Sequence, residues 1–173
     1  MTENQMDAKL QADFVKTIEN NKGIIYKIAR LYCKNPDDKK DLIQEILLQL
    51  WKSFSKFDSS YKFSTWMYRI ALNVSISFYR KEKLRQQINQ PLPDSILYLK
   101  EENTTNDLNN NLDQLHQFIQ ELKELDRAII ILYLEGNNQQ DIGEILGLTV
   151  TNVSTKVSRI KEHLKQKFSS INK

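Results

Sequence analysis

Apolar residues recur at helical spacing along most of the chain, in two groups that a polar stretch separates. In the first group, one stripe has neighbours three, four or seven residues apart: Phe14, Ile18, Ile25, Ile28 and Tyr32. A second stripe follows it at Ile43, Ile46, Leu47, Leu50 and Phe54. Such spacing predicts amphipathic helices whose stripes pack inward.

Breaks between these helices are marked by turn residues and caps. The run Asn35-Pro36-Asp37 ends the first helix and starts the second, for which Asp37 or Asp38 is the expected cap. A polar stretch with aromatics, residues 56–63, breaks the pattern again. From Ser64 a third long helix is predicted to continue to about Arg85.

The second group contains a helix and two shorter helical patterns. Apolar positions of the helix are Leu122, Leu125, Ile129, Ile130 and Leu132. Gly147 splits the two shorter patterns, and the intervening residues 86–113 hold Pro91, Pro93 and an Asn-rich run. We therefore predict an all-α fold with two small helical domains, at 8–85 and 114–170, joined by a flexible linker at 86–113.

Composition agrees with helices and excludes several classes of protein. The 173 residues include four glycines and three prolines, few for the turns of a many-stranded β fold. The single cysteine, Cys33, cannot form an internal disulfide and is insufficient for a metal site, so no metal and no cofactor are expected. Because no apolar run approaches the length of about 20 residues that spans a membrane, no membrane insertion and a cytoplasmic location are predicted.

Charge is distributed unevenly although the net charge is only +3. Basic residues dominate 62–85 and 154–173, whereas 86–113 is acidic. The net charge therefore does not by itself indicate a nucleic-acid partner, and the distribution, two basic segments that flank an acidic one, is more informative.

Residues 139–164 have the pattern of a helix-turn-helix. Gly147 supplies the permissive turn, Gly143 lets the two helices cross closely, and Thr149 can cap the second helix. The inward stripe of that helix is Val153, Val157, Ile160 and Leu164. Its outer face is Thr151, Ser154, Thr155 and Ser158, flanked by Lys156 and Arg159. Hydroxyls and a guanidinium suit base edges in a major groove, although a solvated helix of a small bundle has a similar surface.

On the second predicted helix, a helical wheel turns four residues outward: Asp41, Glu45, Leu48 and Lys52, with Gln44 at their edge. An apolar residue ringed by acids and amides suggests a partner surface. A single exposed leucine is also common on ordinary surfaces.

Three stretches resemble one family. The run Asp41-Leu42-Ile43-Gln44-Glu45, then Trp51, Phe57 and the run from Phe63 to Asn73, closely resemble region 2 of bacterial sigma factors, especially the extracytoplasmic-function group. Asp126-Arg127 and the helix-turn-helix resemble region 4 of the same group. The lack of an intervening region 3 also matches that group.

The resemblance implies a role for each surface. Asp41, Gln44, Glu45 and Leu48 fall where such proteins grip the clamp coiled coil of the largest RNA polymerase subunit. Positions that face the melted −10 element are Phe57, Tyr61, Lys62, Phe63, Trp66, Arg69, Asn73 and Arg80, with Tyr68 as a further aromatic wall. Positions that face the −35 element are Thr151, Ser154, Thr155, Lys156, Ser158 and Arg159. The family often has an acidic residue four positions after Asn73, where this chain has Ser77.

The expected function is therefore promoter-specific initiation of transcription by RNA polymerase core, with promoter DNA and an anti-sigma factor as further partners. Trp66 and Ile70 are expected to anchor the core, and Trp66 is also a candidate wall for an unstacked base. An enzyme is disfavoured, since His116 and His163 are isolated and no phosphate-binding glycine loop or nucleophile motif is present. A simple helix-turn-helix regulator would leave the first unit without a role. A helical interaction module that binds no DNA predicts no salt-dependent DNA binding and no loss on Arg159→Ala.

Overall fold

The computed structural model describes residues 3–60, 62–88 and 107–171, which form seven α-helices and, within these ranges, no β-strand. The helices are α1 (Glu3–Tyr32), α2 (Pro36–Phe54), α3 (Phe63–Ile88), α4 (Asp107–Glu121), α5 (Glu124–Leu134), α6 (Gln139–Leu146) and α7 (Val150–Ile171). The predicted all-α fold is confirmed.

Helices α1, α2 and α3 pack around the first core. Side chains with no exposed surface there include Ile28, Leu42, Ile46, Met67 and Leu72. Helix α2 is turned slightly from the predicted phase, because Leu42 is fully buried whereas Ile43 is only partly so. Leu42, Ile46 and Leu50 lie four residues apart and form the innermost row.

The start of α2 differs from the predicted capping. Asn35 is the N-cap, and its Oδ1 accepts a hydrogen bond of 2.8 Å from the backbone N–H of Asp37. Pro36 occupies the first helical position, where its missing N–H needs no partner. Asp37 and Asp38 lie in the first turn, so the prediction that one of them is the cap was wrong.

Helices α4 to α7 pack around Ala128, Ile129, Leu132, Ile142 and Val153, all fully buried. Helices α6 and α7 form the predicted helix-turn-helix. Gly147 ends α6 in the left-handed conformation at φ 69°, and Thr149 Oγ1 accepts a hydrogen bond of 3.3 Å from Asn152 N–H. A Cβ at Gly143 would lie 2.6 Å from the carbonyl oxygen of Leu148, so only glycine fits this crossing.

The two groups of helices are in direct contact, α3 with α5 and α6, and α1 with α4. Helix α3 ends at Ile88 and α4 begins at Asp107, so helical residues extend into the range 86–113 predicted as linker. Residues 89–106 of that range lie outside the described residues. None of the helices described is long and apolar enough to cross a membrane.

Candidate functional site

The outward face of α2 is close to the wheel prediction and differs from it at Glu45. Asp41, Gln44 and Leu48 are exposed, with 45% of the surface of Leu48 accessible. Glu45 is partly buried, and its Oε1 accepts a hydrogen bond of 2.9 Å from Gln49 Nε2. The face therefore exposes one carboxylate fully, together with an amide and an apolar side chain.

Trp51 extends this face and was not among the predicted contact residues. It lies one helical turn after Leu48 and is 40% exposed. Its ring meets the edge of Phe14 on α1, with centroids 5.1 Å apart. The signal was present in the sequence, since residues three apart on a helix share a face. Leu48 and Trp51 together form an exposed apolar patch on this face.

Three predicted −10 residues form one aromatic cluster at the start of α3: Phe57, Phe63 and Trp66. Their ring centroids are 5.1 to 5.3 Å apart. Phe54 joins the cluster at 6.4 Å from Trp66 and was not predicted. All four rings are partly buried. Partial burial fixes the rings in place while leaving edges and faces on which an unstacked base could pack. Tyr61, also predicted here, lies outside the described residues.

Tyr68 does not belong to this cluster. Its side chain is only 6% exposed, and its hydroxyl donates a hydrogen bond of 3.2 Å to Glu135 Oε2 on the second unit. Burial, with Glu135 beside it, raises the pKa of Tyr68 far above its usual range. The prediction that Tyr68 is a wall for a base is therefore corrected: it faces α5.

The predicted −10 cations have different environments. Lys62 is exposed next to the aromatic cluster. The Arg69 guanidinium donates to the backbone oxygen of Glu144, and Arg80 Nε lies 4.0 Å from Glu124 Oε1. Both arginines are thus directed at the second unit in this structure.

Asn73 is exposed and lines a groove of about 790 Å³ between α2 and α3. The other lining residues are Asp41, Glu45, Gln49, Lys52, Ser53, Lys56, Ile70, Val74, Ser77, Phe78 and Lys81. Asp41 and Glu45 come from the predicted polymerase face, so the groove connects that face with the predicted −10 surface. Ile70 is partly buried and packs against the core, as does Trp66.

The predicted outer face of α7 is largely exposed. Thr151, Thr155, Ser158 and Arg159 are exposed, and Ser154 is half-buried. Within the described part of the chain, Arg159 makes no hydrogen bond or ion pair, so its guanidinium is uncommitted.

Lys156 is held differently. Its Nζ lies 2.7 Å from Asp126 Oδ1 on α5, and its side chain is 30% exposed. This ion pair holds Lys156 along the flank of α7, next to the row of residues predicted to face bases, and its charge is paired with Asp126. No group of three His, Cys, Asp or Glu residues in the described ranges is placed to hold a metal ion.

Comparison with known proteins finds matches to two parts of the chain. Residues 17–85 match the family model of Sigma-70 region 2, and residues 112–164 match that of Sigma-70, region 4. The ECF RNA polymerase sigma factor SigW of Bacillus subtilis is 27% identical over 93% of this chain and 91% of its own length. The ECF RNA polymerase sigma-E factor of Haemophilus influenzae is 28% identical over 84% of this chain and 83% of its own.

Two solved structures share the fold across both units. The sigma factor RpoE of Bartonella quintana, crystallised with the anti-sigma factor NepR, superposes with a TM-score of 0.71 at 21% identity. That match covers 91% of this chain and 97% of the other. CnrH in complex with the cytosolic domain of CnrY gives a TM-score of 0.66 at 19% identity, over 92% and 90%.

Proposed function

Since this chain belongs to the sigma-70 family of RNA polymerase sigma factors, in its extracytoplasmic-function group, we propose that it selects promoters through both of its units. Its coarse role is that of the family: an initiation factor that directs RNA polymerase to promoters, with the chemistry left to the polymerase. One observation carries the finer proposal. The chain exposes two chemically different faces, a hydroxyl-rich face on α7 and an acidic face on α2. Such a factor acts in the cytoplasm, where polymerase and chromosome are.

Helix α7 enters the major groove of the −35 element in this proposal. Arg159 is its specificity-determining contact, because it is exposed and carries the five-donor fork that pairs with guanine. Thr151, Ser154, Thr155 and Ser158 supply short hydroxyls that approach base edges or phosphates. Lys156 contacts phosphate from the flank.

The aromatic cluster of the first unit captures the non-template strand of the melted −10 element. Phe57, Phe63 and Trp66 offer fixed rings for stacking, and base–aromatic stacking contributes about 1–3 kcal/mol per base. Lys62, Arg69 and Arg80 neutralise phosphates, and Asn73 contacts the strand or the duplex edge. Tyr61 is also proposed to contact the −10 strand.

The outward face of α2 binds the clamp coiled coil of the polymerase. Asp41, Gln44 and Glu45 supply acceptors for a basic helical hairpin, and Leu48 the apolar contact. Charge complementarity of this kind speeds encounter and fixes orientation, whereas the apolar contact slows dissociation.

An anti-sigma factor is the proposed regulator. Support comes from the structural neighbour RpoE, which was solved with the anti-sigma factor NepR. The other neighbour, CnrH, was likewise solved with a protein partner, the cytosolic domain of CnrY. A protein that covered the outward face of α2 would compete directly with polymerase.

Reconstitution with core polymerase tests the proposal. The expected result is binding to core and transcription from promoters that core alone cannot use, found by sequencing the DNA retained by the reconstituted enzyme. Leu48→Glu should weaken core binding by roughly tenfold or more, since it places a charge in an apolar contact. Leu84→Glu is the matched control, because Leu84 is 58% exposed on α3 and lies outside the proposed face.

Arg159→Ala tests the −35 contact separately. It should lower affinity for the selected promoters by about 1–3 kcal/mol and relax the sequence preference at one position, without affecting core binding. Lys165→Ala, another exposed cation of α7, is its control. A chain that binds these DNAs but never core polymerase would be a simple helix-turn-helix regulator, and the proposal would be wrong.

A further inference from the structure

An aromatic side chain of α1 contacts the ring through which α2 joins the aromatic cluster. Phe14 is partly buried and packs against the core of the first unit. Its ring meets that of Phe54 edge to face, with centroids 5.1 Å apart and an interplanar angle of 75°. Phe54 in turn lies 6.4 Å from Trp66 and 6.5 Å from Phe63. Phe14 is therefore connected to the cluster through one intermediate ring.

Phe54 lies at the point where α2 ends and the loop before α3 begins. It is the last residue of α2, and its carbonyl oxygen accepts a hydrogen bond of 3.1 Å from the N–H of Phe57. In the described part of the chain it has three ring partners, and two of them, Phe63 and Trp66, belong to the cluster. Phe14 is the partner that comes from outside the cluster, so it is the contact that relates Phe54 to the rest of the first unit.

The orientation of Phe14 is itself fixed by two rings of α2. Trp51 meets it at 5.1 Å with an interplanar angle of 67°, in addition to the contact with Phe54. Trp51 and Phe54 are three residues apart and share a face of α2. Edge-to-face pairs depend on ring orientation, so two such contacts restrain the Phe14 ring more than apolar packing alone would. Phe14 also precedes residue 17, where the match to Sigma-70 region 2 begins.

We propose that Phe14 is a positioning residue for single-strand capture: by restraining Phe54 it keeps Phe63 and Trp66 in the arrangement on which an unstacked base packs. This inference rests on the proposed role of the cluster at the −10 element. Rings that are already fixed before DNA arrives lose less conformational freedom on binding, which favours the bound state. Without the Phe14 ring the cluster would present the same rings in a looser arrangement and would hold the strand more weakly.

Substitutions at Phe14 separate the effect of its ring from that of its apolar bulk. Phe14→Leu and Phe14→Met remove the ring and keep an apolar side chain, whereas Phe14→Tyr keeps the ring. Phe168→Leu is the matched control, because Phe168 is also partly buried against a core and meets Phe118 edge to face at 5.0 Å, in the second unit. It removes an equivalent ring contact far from the proposed −10 surface.

The first measurement follows the cluster in the absence of DNA. Trp51 and Trp66 are the two tryptophans of the chain, so a Trp51→Phe background, which keeps a ring beside Phe14, leaves Trp66 as the emitter. In this background Phe14→Leu should raise the acrylamide quenching constant of Trp66 by roughly twofold, because a side chain with fewer fixed contacts is reached more often by the quencher. Phe14→Tyr and Phe168→Leu should leave the constant unchanged.

The second measurement uses core polymerase reconstituted with an excess of the full-length chain, without the Trp51 substitution. The lifetime of open complexes after heparin challenge is measured on a promoter that the wild-type enzyme retains. Phe14→Leu should shorten this lifetime by roughly tenfold, because an edge-to-face ring contact contributes a factor of about two to ten. Phe54→Leu should act similarly, and the double variant should lose little more than either single variant, because both act through the same contact.

Three results would overturn the inference. One is an unchanged quenching constant of Trp66 in both Phe14→Leu and Phe14→Met. Another is an equal loss of open-complex lifetime in Phe14→Leu and Phe168→Leu, because reduced stability would then explain both. The third is a double variant in which the losses from Phe14→Leu and Phe54→Leu multiply. A wild-type chain that forms no open complex would remove the proposed function, whereas the quenching result, which needs no DNA, would still decide whether Phe14 restrains the cluster.

Discussion

Replacing Gly143 with alanine perturbs the crossing of α6 and α7, which determines where the outer face of α7 lies. The new Cβ would be 2.6 Å from Leu148 O, closer than real Cβ contacts come. That oxygen belongs to the main chain of the turn and cannot rotate away as a side chain would. Gly143 O also accepts the 2.9 Å hydrogen bond from Leu148 N–H, so any shift of the turn weakens it.

The expected magnitude is a balance of two opposing effects. Alanine in a helix is favoured over glycine by about 1 kcal/mol. Overpacking of a filled site costs about 1–3 kcal/mol, and a backbone contact belongs at the upper end. We therefore expect Gly143→Ala to lower the free energy of unfolding by about 1–2 kcal/mol.

Gly23→Ala is the matched control, because Gly23 is exposed within α1 and a Cβ there meets nothing within 4 Å. It should stabilise the protein by about 0.5–1 kcal/mol through helix propensity. Urea unfolding followed by far-UV circular dichroism measures both variants, and promoter binding of Gly143→Ala should fall with its stability. Equal stabilisation by the two substitutions would refute the packing argument.

Two further changes test local features of the first unit. Asn35→Ala removes the side-chain cap of α2 and should cost about 1 kcal/mol in urea unfolding, more than Asp37→Ala; the reverse order would restore the cap predicted from the sequence. Burial raises the pKa of the Cys33 thiol to about 11 from its ordinary value of 9.0. The unfolded thiol therefore ionises first, and stability should decline between those pH values more steeply in the wild type than in Cys33→Ala. Parallel stability curves for the two proteins would contradict this.

Local signals in the sequence were sufficient for most of the fold. The helix-turn-helix was predictable because Gly143, Gly147 and Thr149 each serve a neighbour a few residues away. The phase of α2 was harder, since Leu42 and Ile43 are adjacent and apolar, and packing against α1 and α3 decides which is buried. The N-cap of α2 was assigned wrongly although its signal is local. Proline favours the first helical position, so Asn35, the residue before Pro36, is the N-cap.

Contacts between the units could not be predicted in the same way. Arg127 and Leu31 are 96 residues apart, and neither has a pattern that names the other. One signal was present in the sequence: Arg127 directly precedes the apolar run from Ala128 to Leu132 in α5. Tyr68 was assigned to the aromatic cluster because it lies two residues after Trp66 in the sequence. Residues two apart on a helix lie on different faces, and the side chain of Tyr68 contacts Glu135 instead. Surfaces that depend on one helix were thus predictable, and those that depend on pairing two distant helices were not.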